Sequence, residues 1–143
     1  MERPNRSAST MLSSERVAEL VARATQAREH AYAPYSAFPV GAALLLDSGE
    51  IVTGANVENA SYGLSLCAER AAVVRAVAQG ARRYVAIAVV GPKELDLAPC
   101  GACRQFIAEF GLDIEVITLR SGQPTTRTMR ELLPDAFDAE SLP

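Results

Sequence analysis

Residues 67–103 read CAERAAVVRAVAQGARRYVAIAVVGPKELDLAPCGAC, and this stretch decides the fold class. Ala71, Val74 and Val77 recur at helical spacing between Cys67 and Gln79, and Gly80 is a stop signal. Tyr84 to Val90 is a continuous apolar run, the pattern of a strand covered on both faces. Pro99 and Cys100 then open a second helix, which ends near Phe110 with Gly111 just beyond. Upstream, Val40 to Leu46 and Ile51 to Thr53 read as two strands joined by the turn Asp47-Ser48-Gly49-Glu50, a hairpin. A polar loop rich in Asn and Ser fills residues 55–66. From Ser14, Val17, Leu20, Val21, Ala24 and Ala27 predict a first helix to about His30, ended by the Pro34 region. Downstream, Ile114 to Leu119 is a strand, and Met129 to Leu133 a short helix before Pro134. Strands alternating with helices after an initial hairpin imply a three-layer α/β/α sandwich with a mixed sheet. One domain over residues 14–143 is expected, behind a loose polar leader at 1–13 in which Met11 competes with Met1 as the start.

Composition narrows the function. The 143 residues suit one domain, and at 49% hydrophobic and 22% charged the chain is far from the composition of a disordered one. No run of apolar residues is long enough to span a bilayer, and residues 1–14 lack the apolar segment of a secretory signal, so a cytoplasmic location is expected. Net charge is −3 and the arginines are scattered, with Arg82 and Arg83 as the tightest pair and Lys93 the lone lysine. Such a surface does not suit a nucleic acid or an anionic membrane; a small neutral or cationic ligand fits better.

Three cysteines, Cys67, Cys100 and Cys103, cannot close a disulfide framework. Buried inert thiols would be the ordinary reading of scattered cysteines. These are not scattered, because each cluster opens a predicted helix. Unpaired amides at a helix N-terminus favour the thiolate, the form that binds zinc. Cys100-Gly101-Ala102-Cys103 lets two sulfurs converge on one ion, and Cys67 would be a third ligand. Three protein ligands with one open position is the pattern of catalytic zinc, whereas structural zinc takes four. No fourth cysteine exists, and the only histidine, His30, lies in an unrelated helix. Glu69, two residues after Cys67, is placed as the acid and base that zinc deaminases use without making it a ligand.

With these motifs assembled, the chain resembles the small cytidine deaminases of the homotetrameric, three-cysteine zinc class over about residues 20–137. The matching segments are Tyr35-Ser36-Ala37-Phe38-Pro39-Val40-Gly41-Ala42-Ala43-Leu44 and Asn56-Val57-Glu58-Asn59-Ala60-Ser61-Tyr62. Cys67-Ala68-Glu69-Arg70, Pro99-Cys100-Gly101-Ala102-Cys103-Arg104-Gln105, and Leu132-Leu133-Pro134 followed by Phe137 complete the match. The resemblance implies hydrolytic deamination of cytidine and 2′-deoxycytidine to uridine and 2′-deoxyuridine, a step of pyrimidine salvage, with one zinc per chain. It assigns Cys67, Cys100 and Cys103 to the metal and Glu69 to proton transfer. It also assigns Asn56 and Glu58 to the sugar hydroxyl, Phe38 to packing on the pyrimidine, and Ala60 and the backbone of Ala68 to substrate contacts. Arg70 matches an arginine that hydrogen-bonds the ligand sulfurs and withdraws charge from them. By pattern alone, Asn56 and Glu58 are ordinary loop polars, Phe38 is equally a core residue, and Arg70 a solvated helix arginine. The same resemblance implies a homotetramer with shared active sites, Tyr62 and Phe137 of neighbouring chains covering the site; the plainer alternative packs Phe137 on its own chain.

Three rival readings share some of these residues. A deaminase of a blasticidin-type antibiotic would keep the zinc motifs without the 56–61 stretch. A nucleic-acid editing deaminase is opposed by the acidic charge balance. A non-catalytic zinc protein would leave the open position and Glu69 without use.

Overall fold

The computed structural model describes residues 12–143. Eleven of the thirteen residues expected to form a leader, and the choice between Met1 and Met11, therefore lie outside the described residues. Leu12 packs partly buried against the core, and the Ser13 hydroxyl accepts from the Arg16 amide at 3.1 Å, capping the first helix.

Helix α1 spans Ser14–Arg28 and is followed by the hairpin strands β1 (Gly41–Leu46) and β2 (Ile51–Ala55). Gly49, at φ 93°, takes the left-handed position in the turn between them. Helix α2 (Ala68–Ala78), strand β3 (Tyr84–Val90), helix α3 (Gly101–Ala108) and strand β4 (Glu115–Arg120) come next. Strand β5 (Gln123–Thr128) and helix α4 (Met129–Leu132) complete the sheet and the helices. The sheet order is β2-β1-β3-β4-β5, with β3 and β4 parallel and every other neighbour antiparallel, so the sheet is mixed.

Side-chain alternation along the central strands splits the core in two. Ala42, Leu44, Ile87, Val89 and Val116 face α2, α3 and α4, packing on Ala72, Val73, Ile107 and Met129. Ala43, Leu45, Ala86, Ala88 and Ile117 face the other way, onto Leu20 and Ala24 of α1. Three layers result. The helices press hard on the hairpin: a Cβ at Gly41 would collide with the Ala24 carbonyl, and one at Gly54 with the backbone of Ala68 and Ala72.

The predicted elements are recovered with ends shifted by a residue or two. β5 is the exception, since QPTTRT is polar and its strand comes from pairing with β4, in register Thr118 to Thr125. Register also locates the site. Gly41 pairs with both Ala55 and Val90, so the segments entering β1 and leaving β2 and β3 all emerge at one end of the sheet.

Candidate active site

At that end lies a cavity of about 510 Å³. Cys67, Ala68, Glu69 and Cys100 form one wall, and Ser36, Phe38, Asn56 and Glu58 another.

The first wall is made of helix N-termini. Cys67 is the residue before α2 and Cys100 the residue before α3, both in extended backbone, and the Cys100 side chain caps α3. The Sγ atoms of Cys67 and Cys100 are 3.9 Å apart, and those of Cys67, Cys100 and Cys103 all lie within 4.8 Å of one another. Zinc–sulfur bonds of about 2.3 Å in a tetrahedron require sulfurs about 3.8 Å apart, so the three thiols fit that ion. Cys67 also receives a hydrogen bond from Arg70 Nη2 at 3.3 Å, and the Cys103 amide donates to Cys100 Sγ at 3.4 Å. Hydrogen bonding from Cys103, with help from the Arg70 guanidinium and against the cost of burial, holds the Cys67 thiol down to about 5. Cys103 is pushed up by the same contact and by burial, so Cys67 is the first of the two to ionise. The buried Arg70 Nε has no hydrogen-bond partner and leaves donor capacity beside the sulfurs.

Glu69 sits in the first turn of α2, only 4% exposed. Burial raises its carboxyl above the ordinary value, and the negative charge of Cys67 adds to the rise. A buried carboxyl next to the Cys67 thiolate is poised to hold a proton and give it up.

The second wall is made of loops. Asn56 Oδ1 accepts from the Val40 amide at 2.8 Å while Nδ2 donates to the Phe38 carbonyl at 2.9 Å. Glu58 Oε1 accepts from the amides of Tyr35 (3.0 Å) and Ser36 (3.1 Å), and Oε2 accepts from the Ser36 hydroxyl. These bonds, the hydroxyl first, hold the Glu58 carboxyl below its ordinary value.

Not every expected residue reaches the cavity. Tyr62 lies in a short 3₁₀ turn, Tyr62–Leu64, is 74% exposed, and meets Tyr35 edge-on at 6.0 Å. Phe137 is 59% exposed; its carbonyl accepts from Gln105 Nε2 of α3 at 2.7 Å. Ala60 is exposed and outside the lining. Conversely, Ser36, Val40, Leu97 and Ala98 line the cavity without having been singled out. Ser36 stands inside the motif that begins at Tyr35, which is the one signal that marks it. Arg104 bonds the Pro99 carbonyl at 2.8 Å and the Leu132 carbonyl at 2.9 Å, bracing the turn that carries Cys100 against α4.

Three converging cysteines suited to zinc beside a buried carboxyl are the arrangement of the zinc-dependent deaminases. Residues 14–119 match the family model described as the cytidine and deoxycytidylate deaminase zinc-binding region. The chain is 48% identical over 128 residues to a cytidine deaminase of Sporosarcina psychrophila, covering 88% of this chain and 94% of that one. It is 51% identical over 125 residues to a cytidine deaminase of Halalkalibacterium halodurans, covering 86% and 95%. The crystal structure of cytidine deaminase from Burkholderia pseudomallei superposes with a TM-score of 0.80 at 48% identity, covering 88% of this chain and all of that one. The chain belongs to the cytidine deaminase family and is an enzyme of that family's hydrolytic class.

Proposed function

We propose that this protein hydrolyses cytidine and 2′-deoxycytidine to uridine and 2′-deoxyuridine with release of ammonia, as a step of pyrimidine salvage. The observation that carries the reading is the buried Glu69 carboxyl on the same cavity wall as Cys67 and Cys100. Cys67, Cys100 and Cys103 would hold one zinc per chain, which supplies Lewis acidity that makes hydroxide available near neutral pH. Glu69 takes the proton of the attacking water and delivers it to ring N3, which makes C4 electrophilic. The new C–O bond forms at C4, Glu69 carries a second proton to the exocyclic amino group, and the C4–N bond breaks to release ammonia. Arg70, donating to Cys67 Sγ, draws negative charge from the sulfurs so that the hydroxide stays accessible.

Substrate is held by the opposite wall. Because Asn56 Oδ1 is tied to the Val40 amide, the amide cannot flip, and one Nδ2 hydrogen remains as a donor. Glu58, a carboxylate, remains an acceptor. Donor and acceptor side by side suit a sugar hydroxyl, and the negative charge of Glu58 disfavours a phosphorylated sugar. Phe38 packs on the pyrimidine ring, with Ala60 and the Ala68 backbone as further contacts.

The reading includes a homotetramer with shared sites. Tyr62 and Phe137 are large aromatics left exposed, and neither lines the cavity of its own chain, which supports their covering a neighbour's site. A small nucleoside, rather than a nucleic acid, is the partner, in keeping with the net charge of −3. Among the described residues no helix is long and apolar enough to cross a membrane, and the proposed location is the cytoplasm.

Cytidine turnover followed by ultraviolet absorbance, with zinc quantified in the same preparation, tests the proposal. Uridine formed in step with bound zinc supports it. Zinc-loaded protein that leaves cytidine unchanged overturns it.

A further inference from the structure

The segment 35–40 lines the cavity through Ser36, Phe38 and Val40, and its shape is unusual at one residue. Ala37 adopts φ 54°, the left-handed region that a side chain ordinarily avoids. On its N-terminal side the turn is held by the Ala37 amide, which donates to the Ala33 carbonyl at 3.1 Å; on its C-terminal side the hold comes from a side chain.

The Ser36 hydroxyl is the group at the centre of that turn. It donates to Glu58 Oε2, and it accepts from the Phe38 amide at 3.0 Å. One oxygen thereby ties the residue before Ala37 to the residue after it, and ties both to Glu58. Glu58 Oε1 takes the amides of Tyr35 and Ser36, so three donors of one turn converge on this carboxylate. Asn56 fixes the far end of the segment at Phe38 and Val40.

We propose that Ser36 is a positioning residue for substrate binding: it holds the Ala37 turn so that Phe38 and Glu58 are aimed into the cavity as a unit. This rests on the functional reading above and deepens it. Phe38 faces the base and Glu58 the sugar, so Ser36 couples the two halves of nucleoside recognition without taking part in proton transfer. Removing its hydroxyl leaves the Phe38 amide without that acceptor and Glu58 without one of its donors. The turn then relaxes from the left-handed conformation, and the ring and the carboxylate lose their common frame. Glu69 and the cysteines, standing on helix N-termini, do not share any of these bonds.

The test compares the parent protein with Ser36→Ala and Ser36→Thr, in two independent measurements. In steady-state cytidine deamination, Ser36→Ala is expected to raise KM about tenfold while kcat changes by less than about threefold, the signature of lost uniform binding. Ser36→Thr, which keeps the hydroxyl, is expected to restore most of the KM. In amide hydrogen exchange without substrate, Ser36→Ala is expected to speed exchange across residues 35–40 by about tenfold and leave β1 and β3 unchanged. An unchanged KM with unchanged exchange overturns the proposal, as does a loss confined to kcat or a threonine variant no better than alanine. If the parent does not deaminate cytidine, the functional reading fails, and the exchange measurement alone decides whether Ser36 holds the turn.

Discussion

On the cysteine wall of the cavity, Cys67 and Cys100 stand immediately before α2 and α3, and Glu69 follows within the first turn of α2. On the loop wall, Asn56 and Glu58 reach Phe38, Val40, Tyr35 and Ser36 from a separate segment, through side-chain bonds to the backbone. The first wall is anchored by helices packed on a buried sheet. The second is anchored by loop backbone bonds such as Asn56 amide to Val40 carbonyl and Glu58 amide to Tyr32 carbonyl, and by the Asn56 and Glu58 side chains. On the proposed function, proton transfer and metal binding fall to the first wall and substrate recognition to the second. Changes on the cysteine wall should therefore appear in metal content and kcat, and changes on the loop wall in KM.

The largest expected effect is on the cysteine wall. Glu69→Gln keeps the size and most of the hydrogen bonding of the side chain but cannot exchange a proton. Turnover should fall by about three orders of magnitude or more while zinc content and thermal stability stay near those of the parent. A variant that retains turnover within about tenfold would remove Glu69 from the proton-transfer role.

Cys100→Ala tests the metal on the same wall. It should lose both the zinc and a large part of the thermal stability, because forming the site and folding around it are coupled. Zinc quantification together with a melting curve reads both, and full occupancy in this variant would refute the ligand assignment.

A third experiment asks whether either wall is complete within one chain. Glu69→Ala and Phe137→Ala, each impaired alone, are co-expressed so that mixed oligomers form. If neighbours share sites, some sites combine an intact Glu69 with an intact Phe137, and activity exceeds the sum of the two parents. Activity no higher than that sum, with mixed oligomers demonstrated, would confine each site to its own chain.

The smallest effects belong to the loop wall. Glu58→Gln should raise KM for cytidine about tenfold with little change in kcat. One oxygen can still accept the Tyr35 and Ser36 amides, but the NH2 in place of Oε2 cannot accept from the Ser36 hydroxyl, and the charge is lost. The charge also sets a pH window. The Ser36 hydroxyl and the Ser36 and Tyr35 amides hold the Glu58 carboxyl below its ordinary value of 4.5. A depressed folded value means that the clamp's contribution is fully present above pH 4.5 and is lost as pH falls through the lower folded value. Hydrogen exchange at residues 35–40 should therefore stay constant from neutral pH down to that point, relative to unstructured peptide, and quicken only below it. In Glu58→Gln the step should vanish.

The same contrast explains how much was legible in the residues alone. Strand β3 was readable as an unbroken apolar run, and α2 and α3 by their start and stop residues. The stripe read for α2, Ala71, Val74 and Val77, is not its buried face: Ala72, Val73 and Ala76 are buried and Val74 is exposed. Cys67, Glu69, Cys100 and Cys103 were readable because each lies at a helix start within a few residues of another. Strand β5 was not, since its polar QPTTRT carries no apolar pattern and becomes a strand only through pairing with β4. Ser36 was quoted within a motif but had no evident task, because its partner Glu58 comes from a different segment.

Sequence by itself determined the three-layer class, the trio of thiols, and the carboxylate beside them, for these follow from local periodicity and short spacing. Tertiary structure alone decided that the segments entering β1 and leaving β2 and β3 emerge at one end of the sheet, because strand register is a long-range pairing. It likewise decided that Cys67 and Cys100 approach to 3.9 Å and that Tyr62 and Phe137 stand outside their own cavity. Distances between side chains on separate elements depend on how the elements pack, and no spacing along the chain contains that information.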